Sequence, residues 1–318
     1  NNPKQNYMLI IPEQFSFQSE MDLLAVGGEK TAANVLVCSF KRLSFWVKNK
    51  YGIVNEKQVN KAGKNLMLTD IIQKNKDQLH LYGGIEQGAS FVNRLSSLIS
   101  EFKRYGVSSE KMKESLSALD QNGSTYKKVH DLTLLFSEYQ QTITGLTDPD
   151  DSLYWLVKTI QEYGLFTDYE IWIDRFDGFT PCEYEVILQL MKNAIRVNIT
   201  ACTDRLSDER AVPGELFYPV IQTCEKIMAF GDGQKIHREK PIKLTDSPRK
   251  FTTQELVHLE QNLFNSSAKI YENQVDNIKL NIYENSYEEI SQAAGQITRL
   301  VRDEGYKYGE ISVVCSDM

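Results

Sequence analysis

The feature that most constrains the fold is a pair of short, unbroken apolar runs, each followed by a change of periodicity. Tyr7-Met8-Leu9-Ile10-Ile11-Pro12 is five apolar residues stopped by a proline, a length and composition that suit a strand buried on both faces of a parallel sheet. Asn34-Val35-Leu36-Val37-Cys38-Ser39-Phe40 repeats the pattern. Lys41-Arg42-Leu43-Ser44-Phe45-Trp46-Val47 then places apolar residues at helical spacing. Parallel neighbours need a crossover, usually a helix, so the chain is expected to be α/β.

From about Val59 to Gly164 the pattern turns helical, as in Phe91-Val92-x-x-Leu95-x-x-Leu98-Ile99-x-x-Phe102 and Leu132-x-x-Leu135-Phe136-x-x-Tyr139. Strand signals return at Tyr169–Asp174 and Arg196–Ala201, with a helix through Val186–Met191 between them. Residues 204–248 are rich in glycine and proline around one helix near Val220–Met228. Beyond the amphipathic stretch Leu256–Phe264, a strand Ile278–Tyr283, a helix Tyr287–Glu304 and a strand Ile311–Cys315 are expected. This begins a βαβ unit and stops, so the chain is expected to be part of a longer protein.

An α/β host interrupted by helices and followed by a second βαβ unit is the layout of superfamily 1 helicase cores. On that reading 1–58 and 165–250 form a RecA-like domain truncated at its N-terminus. Residues 59–164 are an inserted all-helical domain, 251–269 a linker helix, and 270–318 the start of a second RecA-like domain. A chain of 318 residues accommodates this, since a domain usually takes about 100–200 residues.

The net charge of −7 excludes a surface that is basic all round, so any nucleic-acid contact must be local. No apolar run approaches the roughly 18 residues of a membrane span, and the polar start Asn1-Asn2-Pro3-Lys4 is not a signal peptide. A soluble, cytoplasmic protein is expected. Five cysteines and four histidines stand singly, with no C-x-x-C pair, so neither a zinc site nor a histidine-based metal site is expected.

The nucleotide chemistry of a motor is missing from these residues. No G-x-x-x-x-G-K-[ST] occurs; the nearest string, Gly27-Gly28-Glu29-Lys30-Thr31, lacks the upstream glycine and reads as a surface turn. The phosphate loop would precede Tyr7. A motor's second motif ends a buried strand in Asp-Glu, the glutamate acting on the attacking water. Here that strand ends in Asp174-Arg175, and a guanidinium cannot accept a proton. The third motif, a Gly-Asp and a glutamine, is replaced by Thr203-Asp204-Arg205.

Several segments together resemble the AddB/RexB family of bacterial helicase-nuclease subunits. They are Ile11-Pro12-Glu13-Gln14-Phe15-Ser16-Phe17, Ser39-Phe40-Lys41-Arg42-Leu43, Ser100-Glu101-Phe102-Lys103-Arg104-Tyr105, Asp174-Arg175-Phe176-Asp177-Gly178-Phe179-Thr180-Pro181-Cys182-Glu183 and Leu256-Val257-His258-Leu259-Glu260-x-x-Leu263-Phe264. The resemblance implies a motor-inactive, helicase-like region that threads one DNA strand and scans it for the Chi hotspot during double-strand-break processing. It implies an A subunit as heterodimer partner. ATP, Mg²⁺ and a 4Fe–4S cluster are implied for the full-length complex, with none of them held by these residues.

A single strand is gripped by aromatic faces on bases, about 1–3 kcal/mol each, and by cations on phosphates. The loops after the first two strands supply Glu13, Gln14 and Ser16, then Phe40, Lys41, Arg42 and Phe45; the loop after the third supplies Arg175, Phe176 and Phe179. The resemblance places Gln14, Phe40, Arg42 and Phe176 on the DNA path, and either Phe45 or Trp46 where the family often has tryptophan. The plainer reading makes Phe40 and Phe45 core anchors and Arg42 a solvated charge. Lys103-Arg104 and Lys127-Lys128 either line a strand channel or are solvated helix faces. Two other functions stay open: an active helicase whose ATP loop lies upstream, and a scaffold that docks proteins without touching DNA.

Overall fold

The computed structural model describes residues 6–51, 58–84, 88–207, 211–244, 253–264 and 268–315. They fall into two units, 1–240 and 241–318. The expected boundary between 250 and 251 and parts of the 204–248 segment lie outside the described residues.

The first unit is built on a parallel sheet of β1 (Asn6–Ile10), β2 (Val35–Cys38), β3 (Tyr169–Ile173) and β4 (Arg196–Ile199), in the order β2-β1-β3-β4. Both apolar runs are strands, and the signals at 169 and 196 complete the sheet. In register, Ile10 lies beside Cys38 and Ile173, and with Met8 and Ile171 these residues are fully or almost fully buried. Alternation sends Leu9 and Trp172 to the other face, where Trp172 stays 43% exposed. Burial on both faces, expected from the unbroken apolar run, is therefore realised on one face only.

Three helices cover that face. In α2 (Phe40–Lys50) the buried residues Phe40, Leu43 and Val47 recur at helical spacing, and Ser39 caps the helix by accepting from the Arg42 N–H at 3.3 Å. α8 (Pro181–Asn193) starts with a proline at its first turn and a reciprocal capping box between Thr180 and Glu183. α7 (Ser152–Tyr163) packs between them, with Leu156 and Ile160 in the same core. α9 (Tyr218–Gly233) joins through an edge-to-face contact of Phe230 with Tyr184 at 5.8 Å.

The chain leaves the sheet after α2 and returns at β3. Between them α3 (Lys61–Lys74), α4 (Ala89–Arg104), α5 (Ser109–Leu116) and α6 (Ser124–Thr142) enclose a second core around Leu68, Ile72, Leu95, Ile99, Leu135 and Phe136. The i, i+3, i+4 pattern of 92–99 is the buried face of α4. An isolated parallel bridge, Gln58 to Thr147, ties the two ends of this block together. Within it the buried Asp131 carboxylate accepts backbone N–H bonds from His80, Leu81 and Tyr82 at 2.8, 2.8 and 3.1 Å. Burial alone raises this carboxyl, but the three donors and His130 outweigh it and hold it below its ordinary value.

A buried ion cluster joins this block to α7. Lys64 of α3 reaches Asp150 at 2.7 Å, and Lys103 of α4 reaches Asp148 at 2.8 Å and Asp151 at 2.7 Å. The Tyr139 hydroxyl donates to Asp148 at 2.9 Å. Lys103, a channel candidate by sequence, is thus committed to the interior; Arg104 and Lys128 are exposed and Lys127 is half-buried.

α1 (Ser16–Ala33) connects β1 to β2 and kinks at Gly28, where φ is 71°. The Gly27–Thr31 string therefore sits at a helix break on the surface. In the second unit α10 (Gln254–Asn262) and α11 (Ser286–Asp303) form where expected. The expected strands Ile278–Tyr283 and Ile311–Cys315 do not, because a strand exists only as a ladder. Leu280 and Ile282 are both 89% exposed and no pairing partner stands beside them among the described residues. No helix among these residues is long and apolar enough to cross a membrane.

Candidate nucleic-acid interface

In a parallel sheet all strands point the same way, so the loops that leave their carboxyl ends gather at one edge. Here Ile11 N–H donates to Cys38 O, Asp174 N–H to Ile10 O and Thr200 N–H to Ile173 O, each at 3.0 Å. These bonds bring the segments after β1, β2 and β3 side by side at the edge where open α/β sheets bind ligands.

The first two loops are stitched together. Ser39 Oγ donates to Glu13 Oε2, and Arg42 Nε lies 3.7 Å from Glu13 Oε1 with both side chains more than half exposed. An exposed pair of this kind contributes little to stability, so Arg42 remains available to an anion. Gln14 and Lys41 are exposed beside it. Beneath them burial pushes the Cys38 thiol up to about 12, which removes it as a nucleophile at neutral pH.

The third loop carries backbone strain. Arg175 has φ of 66°, a left-handed conformation that costs a side-chain-bearing residue about 1–2 kcal/mol. Its guanidinium lies 5.2 Å from the centroid of the Phe15 ring, 3.6 Å from Asp22 and 3.7 Å from Asp174. Thr200 Oγ1 donates to the other Asp174 oxygen. A magnesium–nucleotide site needs a carboxylate free to order the ion and a second group to act on water. With Arg175 at the second position and Asp174 already engaged, this donor set does not fit one. No group of three or more His, Cys, Asp or Glu among the described residues is arranged to hold a metal, and the five cysteines are free thiols.

The aromatic candidates separate by burial. Phe40 is 3% exposed and packs against Phe176 at 5.5 Å and Phe179 at 6.0 Å. No ring face is open to a base, so Phe40 anchors the core and supports Phe176, which is half-buried. Ser16 is likewise buried and its hydroxyl finds no hydrogen-bond partner among the described residues; it is not a surface contact here. Phe45 is 63% exposed, whereas Trp46 packs on Phe166 at 6.3 Å. Of the two candidates for the stacking position, the structure presents Phe45. Phe15, under the Arg175 guanidinium, was missed by the sequence reading although it belongs to the same Pro12–Phe17 segment.

The loops that share this edge hold three of the five segments that carry the family resemblance, and comparison with known proteins decides the family. The model described as "ADDB, N-terminal" matches residues 1–260. The chain belongs to the AddB family. It is 37% identical to the B subunit of the ATP-dependent helicase/deoxyribonuclease of Clostridium tetani, over 100% of this chain and 28% of that protein. Proteins of the same description from Clostridium botulinum strain Loch Maree and Acetivibrio thermocellus are each 35% identical, over 98% of this chain and 27% of theirs. The chain thus spans a little over a quarter of the length of these AddB relatives.

Proposed function

We propose that this AddB region is the strand-inspecting, motor-silent part of the B subunit of a helicase/deoxyribonuclease. The observation that carries the reading is the convergence of exposed Gln14 and Arg42 at the carboxyl edge of a sheet whose β3 ends in Asp174-Arg175, with exposed Phe45 about one turn further along α2. Phe45 offers a ring face to a base, and Gln14 an amide and Arg42 a guanidinium that pair with base edges. One strand of DNA laid across this edge is scanned for the Chi sequence as broken ends are processed on the nucleoid.

In this account 1–58 with 165–250 is a RecA-like domain, 59–164 its helical insertion, 251–269 a linker and 270–318 the start of a second RecA-like domain. An A subunit supplies the motor. ATP with Mg²⁺ and a 4Fe–4S cluster belong to other parts of the complex. Arg175, in the place where a motor needs a carboxylate, disfavours a working ATPase in these residues.

The test is a titration of labelled single-stranded DNA, with and without the hotspot, by the complete natural polypeptide and its partner subunit. A good polar contact to a base edge carries about 1–3 kcal/mol of discrimination. Gln14→Ala and Arg42→Ala are each expected to lose roughly 5- to 100-fold in hotspot preference, while unwinding and cutting persist. Unchanged preference in both variants would make these loops structural and overturn the assignment.

A further inference from the structure

Running from the loop edge along α2 and α7, one surface departs from the acidic character of the chain. α2 carries Lys41, Arg42, Lys48 and Lys50 and no carboxylate; α7, packed beside it, carries Lys158 and a single acid, Glu162. In a chain of net charge −7 this is a local concentration of positive charge, and three of its five cations sit on aromatic rings. Lys48 Nζ lies 4.7 Å from the Trp155 centroid, Lys158 Nζ 4.7 Å from that of Tyr154, and Lys50 Nζ 4.5 Å from that of Trp46. Phe45 and Tyr154, at 63% and 60% exposure, leave ring faces open to solvent.

The spacing links this surface to the loop edge. Lys41, Phe45 and Lys48 stand at i, i+4 and i+7 on one face of α2, and a rise of 1.5 Å per residue spreads them over about 10 Å. That is the reach of a few nucleotides of an extended strand. Cations ordered over aromatic rings, beside open rings, suit a polymer that alternates phosphates with flat bases. A helix of mixed charge or a smooth apolar groove would suit a protein segment better.

We infer that the α2–α7 crest, from Phe45 through Lys48 and Trp155 to Tyr154 and Lys158, is a sequence-independent track for single-stranded nucleic acid leading to or from the loop edge. The inference rests on the proposed function for its ligand and shares Phe45 with it, whereas Lys48, Trp155, Tyr154 and Lys158 belong to the crest alone. The crest grips and the loops read, so the two fail separately.

The test uses the complete polypeptide with its partner subunit and labelled single strands of hotspot and random sequence, titrated across a range of salt. On single strands each neutralised phosphate contributes about 0.7 to the slope of log affinity against log salt. Lys48→Gln with Lys158→Gln is expected to lower that slope by about 1.4 and the affinity by the order of tenfold at 0.1 M salt, equally for both sequences. Hotspot preference is expected to stay as in the wild type. Lys48 also lies in the last turn of α2, where a cation complements the helix dipole. Lys158→Gln alone, on an exposed face, therefore serves as the variant that leaves that role intact, with a slope change of about 0.7.

Tyr154→p-benzoylphenylalanine supplies an independent reading: illumination is expected to link the chain to labelled DNA. An unchanged salt slope in both lysine variants would overturn the track. So would a crosslink that captures only the partner subunit, which would make the crest a protein-docking face. If instead the crest variants behave as expected while Gln14→Ala and Arg42→Ala leave hotspot preference untouched, the track stands and the proposed reading of the loops falls.

Discussion

Asp148→Ala is expected to destabilise the chain by about 3–5 kcal/mol, the cost of removing one member of a buried ion cluster and leaving its partners uncompensated. The Asp148 side chain is 1% exposed and those of Lys64 and Lys103 are 7% and 6%. Removing the carboxylate leaves Lys103 with only the half-exposed Asp151 and strips Tyr139 of its acceptor. Urea unfolding of the 318-residue chain measures the loss. Lys103→Met with Asp148→Leu, which removes both charges of the most buried pair, is expected to recover part of it, because breaking a buried pair costs more than replacing it.

The cluster also sets the acid limb of the stability curve. Burial raises the Asp148 carboxyl, but Lys103 and the Asp150 N–H outweigh it and hold it below its ordinary value of 3.8. A carboxyl lowered by folding contributes fully above 3.8, and the contribution is lost as pH falls through the lowered value. Asp131 acts in the same direction. Asp151 opposes them, since burial raises it and its ionised form is penalised in the folded state. Both stabilising carboxyls have lost their contribution in the Asp131→Asn, Asp148→Asn variant, which is expected to show a flatter decline of stability below pH 3.8.

Phe40→Ala is expected to cost about 3–5 kcal/mol of stability, as for other large-to-small changes at buried aromatics. Its ring is shared between the α2 core and the Phe176–Phe179 pair, whose centroids lie 5.0 Å apart. Phe45→Ala, on the opposite side of the same helix, is expected to leave stability within about 0.5 kcal/mol of the wild type. Thermal unfolding of the two variants side by side measures the contrast. Equal destabilisation would mean that Phe45 is packed as Phe40 is.

That contrast was written in the sequence. At about 100° per residue, Leu43, Ser44 and Val47 fall within about 60° of Phe40, whereas Phe45 falls about 140° away. The helical phase therefore separates an anchor from an exposed ring, which residue type and family resemblance together did not. The strands β1 to β4 were legible because their apolar runs are short and bounded, and α4 because its buried face keeps a strict period. The segments 278–283 and 311–315 were not decided by composition, since pairing partners and not residue types make a strand. The Lys64–Lys103–Asp148–Asp150–Asp151 cluster was invisible for the same reason: its members are spread over three separate stretches of chain and meet only through packing. The strain at Arg175 left no local signal, because arginine is an ordinary residue until its φ is known.

The central claim is that the carboxyl edge of this sheet holds a single strand through exposed side chains. The most direct measurement is the affinity of the complete polypeptide, with its partner subunit, for random-sequence single-stranded DNA before and after Phe45→Ala. Loss of one stacking face, worth about 1–3 kcal/mol, predicts an affinity lower by roughly 5- to 100-fold with unfolding unchanged. An affinity equal to the wild type, with the fold intact, would contradict the claim.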